Sequence, residues 1–326
     1  METEESAVPQ KVVVVAGPTA SGKTSLAVQI AARINGEVVS CDSMQIYREM
    51  QIGTAAPTEE EMCGIPHHMV GIVEPSASFS CAEYTEQAEK CIRDIHTRGK
   101  IPVICGGTGL YLDSLLRVSS FSESEKTEEV RAALHAYAEE HGAEALHARL
   151  AAVDPDSAEA IHCNNVRRVV RALEIYETTG ITKTEWDRRS LAAEPKYDAF
   201  MVLLDFRERE RLYDRIDRRV SVMMEAGLVD EVRRLYDKGL VKEQYIAAQA
   251  IGYKEFLPYF SGDCSAEECA DQIRLSSRRY AKRQLTWFRR YKDALWLYPD
   301  ENGDRLQDAQ TLASCAVCAM KEKNFL

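Results

Sequence analysis

The chain is 326 residues long, with 29% charged residues, 45% hydrophobic residues and a formal net charge of −11. That size and balance suit a soluble globular protein built as one large domain or two smaller ones. They exclude a membrane-spanning protein, since no apolar run approaches the roughly 18 residues a spanning helix needs, and the acidic charge taken as a whole argues against a nucleic-acid partner.

Residues 1–10 are acidic and lack the basic and apolar regions of a secretion signal, so a cytoplasmic location is expected. Residues 12–16 form an apolar, β-branched run, the composition of a strand buried on both faces. The run breaks at Gly17, and residues 17–24 read Gly-Pro-Thr-Ala-Ser-Gly-Lys-Thr, the phosphate-loop pattern G-x-x-x-x-G-K-[ST]. Leu26, Ala27, Ile30, Ala31 and Ile34 then recur at helical spacing. Strand, glycine loop and helix in that order aim backbone N–H groups and a positive helix end at one point, and a di- or triphosphate is the ligand expected there. Gly17 and Gly22 allow close backbone approach, Lys23 brings a point charge, and the Thr24 hydroxyl is a candidate Mg²⁺ ligand.

Residues 37–40 read as a second strand, with Asp42 just past its end, where open α/β sheets form their ligand crevice. The alternative reading of Asp42 is a turn or helix cap. A loop over 53–61 leads into a short acidic helix, and residues 64–69 read as a turn whose adjacent His67 and His68 face different ways and make no metal pair. Ser80 and Glu83 form a capping box that opens an amphipathic helix to about residue 98. Residues 101–105 are a third buried strand, followed by Gly106-Gly107-Thr108-Gly109, a second glycine-rich loop at the same sheet edge, where Thr108 offers a hydroxyl.

From about residue 117 the texture becomes helical, with a helix over 128–150, a break at Asp154-Pro155 and a helix over 166–178 closed by Gly180. Strand character returns at 200–206, then helices are expected over 207–226, 229–238, 246–256 and 265–291, a short strand at 295–298 and a helical tail. The predicted fold is therefore α/β: a P-loop NTPase-like parallel sheet flanked by helices, made from 1–116 and 200–326, with an all-helical insertion over 117–199 suited to a large second substrate.

Charge is unevenly spread. Residues 278–292 hold seven basic residues and no acid, with Tyr280, Trp287 and Phe288 interleaved, and Arg167, Arg168 and Arg171 form a second basic cluster. Such stretches suit phosphate neutralisation with base stacking despite the acidic total. The ten cysteines are expected to be reduced thiols; Cys315 and Cys318 form one C-x-x-C without the matched second pair that zinc requires.

Two chemistries fit this frame: phosphoryl transfer from a nucleotide, and displacement of pyrophosphate from an activated group. A nucleotide hydrolase carries an acid at a buried strand end to hold Mg²⁺. Here the candidates are the ends near Asp42 and Asp205, and they leave the choice open.

The stretches Gly17-Pro-Thr-Ala-Ser-Gly-Lys-Thr24, Ser40-Cys-Asp-Ser-Met-Gln-Ile-Tyr47 and Gly106-Gly-Thr-Gly109 resemble the tRNA dimethylallyltransferase (isopentenyltransferase) family. Arg167 to Glu174, Ala250-Ile-Gly-Tyr-Lys-Glu255 and Arg283-Gln-Leu-Thr-Trp-Phe-Arg289 follow in family order, so the likeness covers nearly the whole chain. The resemblance implies transfer of a dimethylallyl group from its diphosphate to N6 of the adenosine 3′-adjacent to the anticodon, with release of diphosphate. It implies a diphosphate site of Gly17, Pro18, Thr19, Ala20, Ser21, Gly22, Lys23, Thr24 and Arg215, with Mg²⁺ on Thr24. Asp42 is implied as general base, with Thr108 and Lys23 also catalytic. Ser43, Met44 and Gln45 beside Asp42 and Thr108, and Arg131, Arg167, Arg168, Arg171, Arg283, Gln284 and Trp287, are implied as tRNA contacts. A monomeric, bacterial-type enzyme acting on the anticodon stem-loop is expected, since no His accompanies Cys315 and Cys318. The alternatives are an adenylate isopentenyltransferase using free AMP or ATP, and a P-loop small-molecule kinase.

Overall fold

The computed structural model describes residues 9–117, 125–192, 195–242, 244–303 and 305–326. The chain divides into two compact units, Met1–Leu116 with Tyr197–Leu326, and Arg117–Lys196.

The first unit is organised around β1 (Lys11–Ala16), whose four consecutive valines are buried. Side chains alternate across a strand, so such a run needs apolar cover on both faces, the situation of a central parallel strand. β2 (Gly36–Ser40), β3 (His67–His68), β4 (Ile101–Gly106), β5 (Asp198–Leu204) and β6 (Leu295–Leu297) complete a parallel sheet of order β3-β2-β4-β1-β5-β6. The first four helices are α1 (Lys23–Arg33), α2 (Glu59–Met62), α3 (Cys81–Thr97) and α4 (Gly109–Leu116). The capping box at α3 is present: Glu83 N donates to Ser80 Oγ at 3.1 Å, and Ser80 N to Glu83 Oε2 at 2.7 Å.

In the second unit, α5 (Glu125–Val153) is two helices across a kink at Gly142, where φ is 87° and ψ is 163°. α6 (Pro155–Ala160), α7 (Val166–Thr179) and α8 (Lys183–Ala192) follow. Leu134, Leu146 and Leu150 of α5 bury against Val169, Val170 and Leu173 of α7. The Asp154-Pro155 break is a helix cap: Asp154 Oδ1 accepts from Ser157 N at 3.2 Å and from Thr184 Oγ1 at 2.7 Å, which fastens α6 to the start of α8.

The chain then forms β5, α9 (Arg209–Glu225), α10 (Leu228–Asp237), α11 (Leu257–Ser261), α12 (Ala266–Phe288), β6 and α13 (Ala309–Glu322). One sheet face, with Val13, Val15, Val38, Val103 and Val202, packs on α1 and α13. The other, with Val12, Val14, Val39, Ile104 and Leu203, lies under α3, α4 and α12.

Three expectations need correction. The predicted turn at 64–69 contains β3, an edge strand whose pairing with Val38 and Val39 supplies backbone order that His-His has little intrinsic tendency to form. His67 and His68 do face apart, bonding Ile65 O and Glu37 Oε2, both at 2.8 Å. The predicted helix over 246–256 is two single 3₁₀ turns, Ala247–Gln249 and Lys254–Phe256, because Gly252 at φ +100° breaks it. Residues 109–116 and 183–192 are helices that the periodicity did not reveal, and the strand expected at 200–206 spans Asp198–Leu204 instead.

Candidate active site

The carboxyl ends of β1, β2 and β4 converge, and each is followed by a sharp turn. After β1, Gly17 at φ 155° passes the backbone of β5 so closely that a Cβ there would lie 2.9 Å from Leu204 O. Gly22 at φ +94° then caps α1, whose first residue is Lys23. The loop thus presents the N-terminus of a helix of 11 residues, with its backbone donors and positive dipole end. Lys23 Nζ lies 3.5 Å from Pro18 O; burial and the neighbouring Arg219 charge lower its pKa. Ser21 is buried, and its Oγ has no hydrogen-bond partner among the described residues. The Thr24 hydroxyl lies near the Cys105 thiol, whose pKa burial pushes up to about 12.

The second glycine loop is fastened to the first by a single side chain. Gln284 of α12, 5% exposed, accepts from Thr19 N at 2.9 Å and donates to Gly107 O at 2.9 Å. Gly107 has to be glycine for this, since a Cβ would stand 2.2 Å from Gln284 Nε2. Thr108 joins the same loop to the end of β2: its N–H donates to Cys41 O at 3.1 Å, and its Oγ1 accepts from Ser43 N at 3.0 Å. Asp42 Oδ1 accepts from Met44 N at 2.9 Å and Gln45 N at 3.4 Å, an Asx turn that fixes the carboxylate. Its Oδ2 has no hydrogen-bond partner among the described residues. Gln45 commits its amide within the protein, donating to Thr54 O at 3.3 Å and Ala55 O at 3.0 Å and accepting from Ser40 Oγ at 3.2 Å.

These groups surround a cavity of about 270 Å³. Lys23, Thr24, Asp42 and Gln284 lie in its wall, together with Tyr280 and Arg219, two groups that the sequence reading did not place there. Tyr280 lies near Thr108, and burial with the Asp42 charge raises its pKa. Arg219 is held by α9 one turn beyond Arg215. Burial lowers the pKa of both, and Asp42 and Glu61 partly offset this for Arg219. Arg215 Nε donates to Ala20 O at 2.8 Å, and its guanidinium lies over the Phe206 ring, 5.7 Å from the centroid. Val220 and Met223 of α9 and Ile273 of α12 give the same cavity an apolar wall.

Lys23, Arg215 and Arg219 thus crowd the glycine loop, with Asp42 facing them. Buried cations with lowered pKa values are groups whose charged forms lack compensation, and an anionic ligand supplies it. The donor set fits Mg²⁺, which takes few protein ligands and completes its octahedron with phosphate oxygens and water. Thr24 would be the protein donor there. Asp205, the other strand-end acid, bonds Phe206 N at 2.8 Å and lies 3.7 Å from Arg209 and 3.6 Å from Arg289.

Of the remaining predicted contacts, Arg283 reaches the cavity and the others lie outside it. Arg283 is exposed at the cavity wall, with its guanidinium 5.5 Å from the Tyr280 ring centroid. Trp287 does not line the cavity: a Cβ on Gly109 would stand 2.2 Å from its Cδ1, and Arg290 lies 4.1 Å from its ring centroid. Phe288, expected among the stacking aromatics, is a core residue at 1% exposure. Of the basic run at 278–292, Arg278 is paired with Asp217 and Arg290 with Asp113; Arg279, Lys282 and Arg283 are exposed with no ion-pair partner among the described residues. In the second unit Arg167 and Arg168 are exposed on the first turn of α7, while Arg131 and Arg171 both pair with the buried Glu174. Cys315 and Cys318 are exposed on α13, and among the described residues no group of three or more His, Cys, Asp or Glu could hold a metal. No described helix is long and apolar enough to cross a membrane.

Comparison with known proteins gives a consistent result. The family described as IPP transferase matches residues 45–291, and the one described as Isopentenyl transferase matches residues 10–70. The chain is 47% identical over 292 residues to a tRNA dimethylallyltransferase of Caldanaerobacter subterraneus subsp. tengcongensis, covering 89% of this chain and 92% of that protein. It is 51% identical over 287 residues to the tRNA dimethylallyltransferase of Bacillus mycoides, covering 88% and 89%. Among solved structures it is similar to a eukaryotic dimethylallyltransferase acting on tRNA, with a TM-score of 0.79, 31% identity, and coverage of 97% of this chain and 80% of that one.

Proposed function

The chain belongs to the tRNA dimethylallyltransferase family, and from that premise we infer how its cavity serves the transfer of a dimethylallyl group to tRNA. The acceptor is N6 of the adenosine 3′ of the anticodon, and the donor is dimethylallyl diphosphate. The observation that carries this reading is the crowding of Lys23, Arg215 and Arg219 around the glycine loop with Asp42 facing them.

Residues 17–24, with Arg215 and Arg219, bind the diphosphate. The Thr24 hydroxyl would hold Mg²⁺, which would supply further neutralisation of the leaving group. As the allylic C–O bond breaks, its electron pair leaves with diphosphate, and the preorganised cations and loop amides stabilise that charge. The N6 lone pair forms the new C–N bond. Asp42, with Oδ2 free, takes the N6 proton and directs the amine beforehand. Thr108 and Tyr280 hold the adjoining wall, and Ser43 and Met44 lie against the base. The base reaches this pocket by leaving its stack, which a single-stranded loop makes inexpensive.

Arg279, Lys282 and Arg283 on α12, and Arg167 and Arg168 on α7, contact RNA phosphates. Arg131 and Arg171, both paired with Glu174, add their positive charge to the same RNA-facing unit. The enzyme acts as a cytoplasmic monomer.

The test is incubation with dimethylallyl diphosphate, Mg²⁺ and either an unmodified tRNA or AMP, followed by nucleoside mass spectrometry. Prenyl addition to adenosine in tRNA, absent with AMP, is the expected outcome. Addition to AMP alone, or consumption of ATP without prenyl transfer, would overturn it.

A further inference from the structure

Outside the cavity wall lies a buried carboxylate whose bonding has no counterpart elsewhere among the described residues. Glu231, in the first turn of α10, is 3% exposed. Its Oε2 accepts from Gln51 N at 3.0 Å and Ile52 N at 2.9 Å, and its Oε1 from Gly53 N at 3.0 Å and the Tyr253 hydroxyl at 2.7 Å. Four donors, three of them consecutive backbone amides, thus converge on one carboxylate, which has no ion-pair partner among the described residues. Hydrogen bonds to an ionised acceptor are the strong ones, and burial raises the cost of leaving any of them unmade.

The loop held this way leads directly into the site. Gly53 and Thr54 line the cavity, and the carbonyls of Thr54 and Ala55 receive the Gln45 amide. Gln45 N in turn donates to the carboxylate of Asp42. The Tyr253 ring packs on Gly53 so closely that a Cβ there would lie 2.5 Å away, and residues 249–251, just before Tyr253, line the same cavity. A continuous hydrogen-bonded path therefore runs from Glu231 through 51–55 and Gln45 to Asp42. The glycine-loop side is fastened separately, by Gln284 and by Arg215.

We propose that Glu231 is a positioning residue for the acceptor: it holds the wall that presents Asp42 and receives the base, and leaves the diphosphate side untouched. This rests on the assignment of Asp42 and its neighbours to the adenosine. In Glu231→Gln one oxygen becomes an NH₂ group facing backbone N–H donors, so at least one contact turns from attraction to conflict. Tyr253→Phe removes a single donor and leaves the three amide bonds in place.

The experiment measures KM for an unmodified tRNA and for dimethylallyl diphosphate separately, with Tm recorded for each variant. Glu231→Gln is expected to raise the tRNA KM about tenfold or more while the donor KM stays within about twofold, and Tyr253→Phe to shift the tRNA KM in the same direction by about threefold. A role in folding alone lowers kcat in proportion to the folded fraction and leaves both KM values in place; that pattern, or an equal rise in both, would overturn the proposal. Should Glu231→Gln fail to fold, the Tyr253→Phe split decides. A wild-type enzyme without activity on tRNA would instead overturn the functional reading on which this rests.

Discussion

The diphosphate side and the acceptor side of the cavity are built by different means. On the first, eight consecutive residues from Gly17 to Thr24 supply loop, charge and helix end together, and one distant side chain, Gln284, clips them to Gly107. On the second, the wall is assembled from 42–45, 53–54, 249–251, Lys254 and parts of α9 and α12, and a carboxylate that never reaches the cavity holds its loops. A phosphate needs dense backbone donors at short range, which a contiguous loop provides. A base needs a shaped wall, and shape is cheapest to make from several elements that already pack.

Substitutions on the two sides should therefore separate kinetically. The largest effect is expected at the shared centre: Asp42→Asn should slow single-turnover prenylation of tRNA by about 10²–10⁴-fold with little change in donor KM. A loss below tenfold would remove Asp42 from the role of base. Next comes Gly107→Ala, whose methyl group displaces Gln284 and opens the clip. A fall of about 100-fold in kcat/KM for dimethylallyl diphosphate with tRNA KM nearly constant is expected, the mirror image of Glu231→Gln. If both variants moved the same KM, the division into two sides would be wrong.

A smaller effect is expected from Arg167→Ala with Arg168→Ala. Binding of tRNA measured from 50 to 200 mM salt should weaken, and its log–log salt slope should fall by about 1–2, without change in donor KM. The smallest effect on turnover is expected at Glu37, which lies at the opposite edge of the sheet, at the start of β2. Burial alone would raise its pKa, but bonds from Arg98, Lys100 and His68 outweigh this and bring it to about 2. A depressed carboxyl pKa gives stability that is full above the ordinary value of 4.5 and lost as pH falls toward 2. Thermal melts should thus show Glu37→Gln less stable than wild type by roughly 2 kcal/mol at pH 7, allowing for the solvent that reaches Arg98 and Lys100, and the two curves should converge only as pH approaches about 2. Activity at pH 7 and a temperature well below Tm should be unaffected.

The same division governs how much the sequence discloses. β1, β2, β4 and the glycine loops are legible because their signals are local: apolar runs ended by glycine. Lys23, Asp42 and Thr108 could be placed at one sheet edge for the same reason. Arg219 was missed although it follows Arg215 by one helical turn, a spacing that puts both on one face. Gln284 and Trp287 could be read as residues of a basic, aromatic helix, but not as parts that turn inward, since what they meet, Thr19 and Gly107 by hydrogen bonds for one and Gly109 by packing for the other, lies more than 170 positions away. Glu231 has no local signal at all. It reads as an exposed acid on an amphipathic helix, and its burial follows only from residues 51–53, which lie 178 to 180 positions earlier.

The strand order also dictates a timetable for synthesis. β2 and β4 leave the ribosome soon after β1 and can pair on one side of it, but the other edge of β1 waits for β5, whose Asp198 pairs with Lys11. The residues Arg117–Lys196 are translated in between, so the Val12–Val15 edge stays open for that whole interval. At roughly 5–20 residues per second, the 265 positions separating Thr19 from Gln284 take about 13–50 s to translate. The nascent chain therefore carries an unsealed, valine-rich edge and an unclipped glycine loop for most of its time on the ribosome, a period in which it is more open to aggregation than the finished protein.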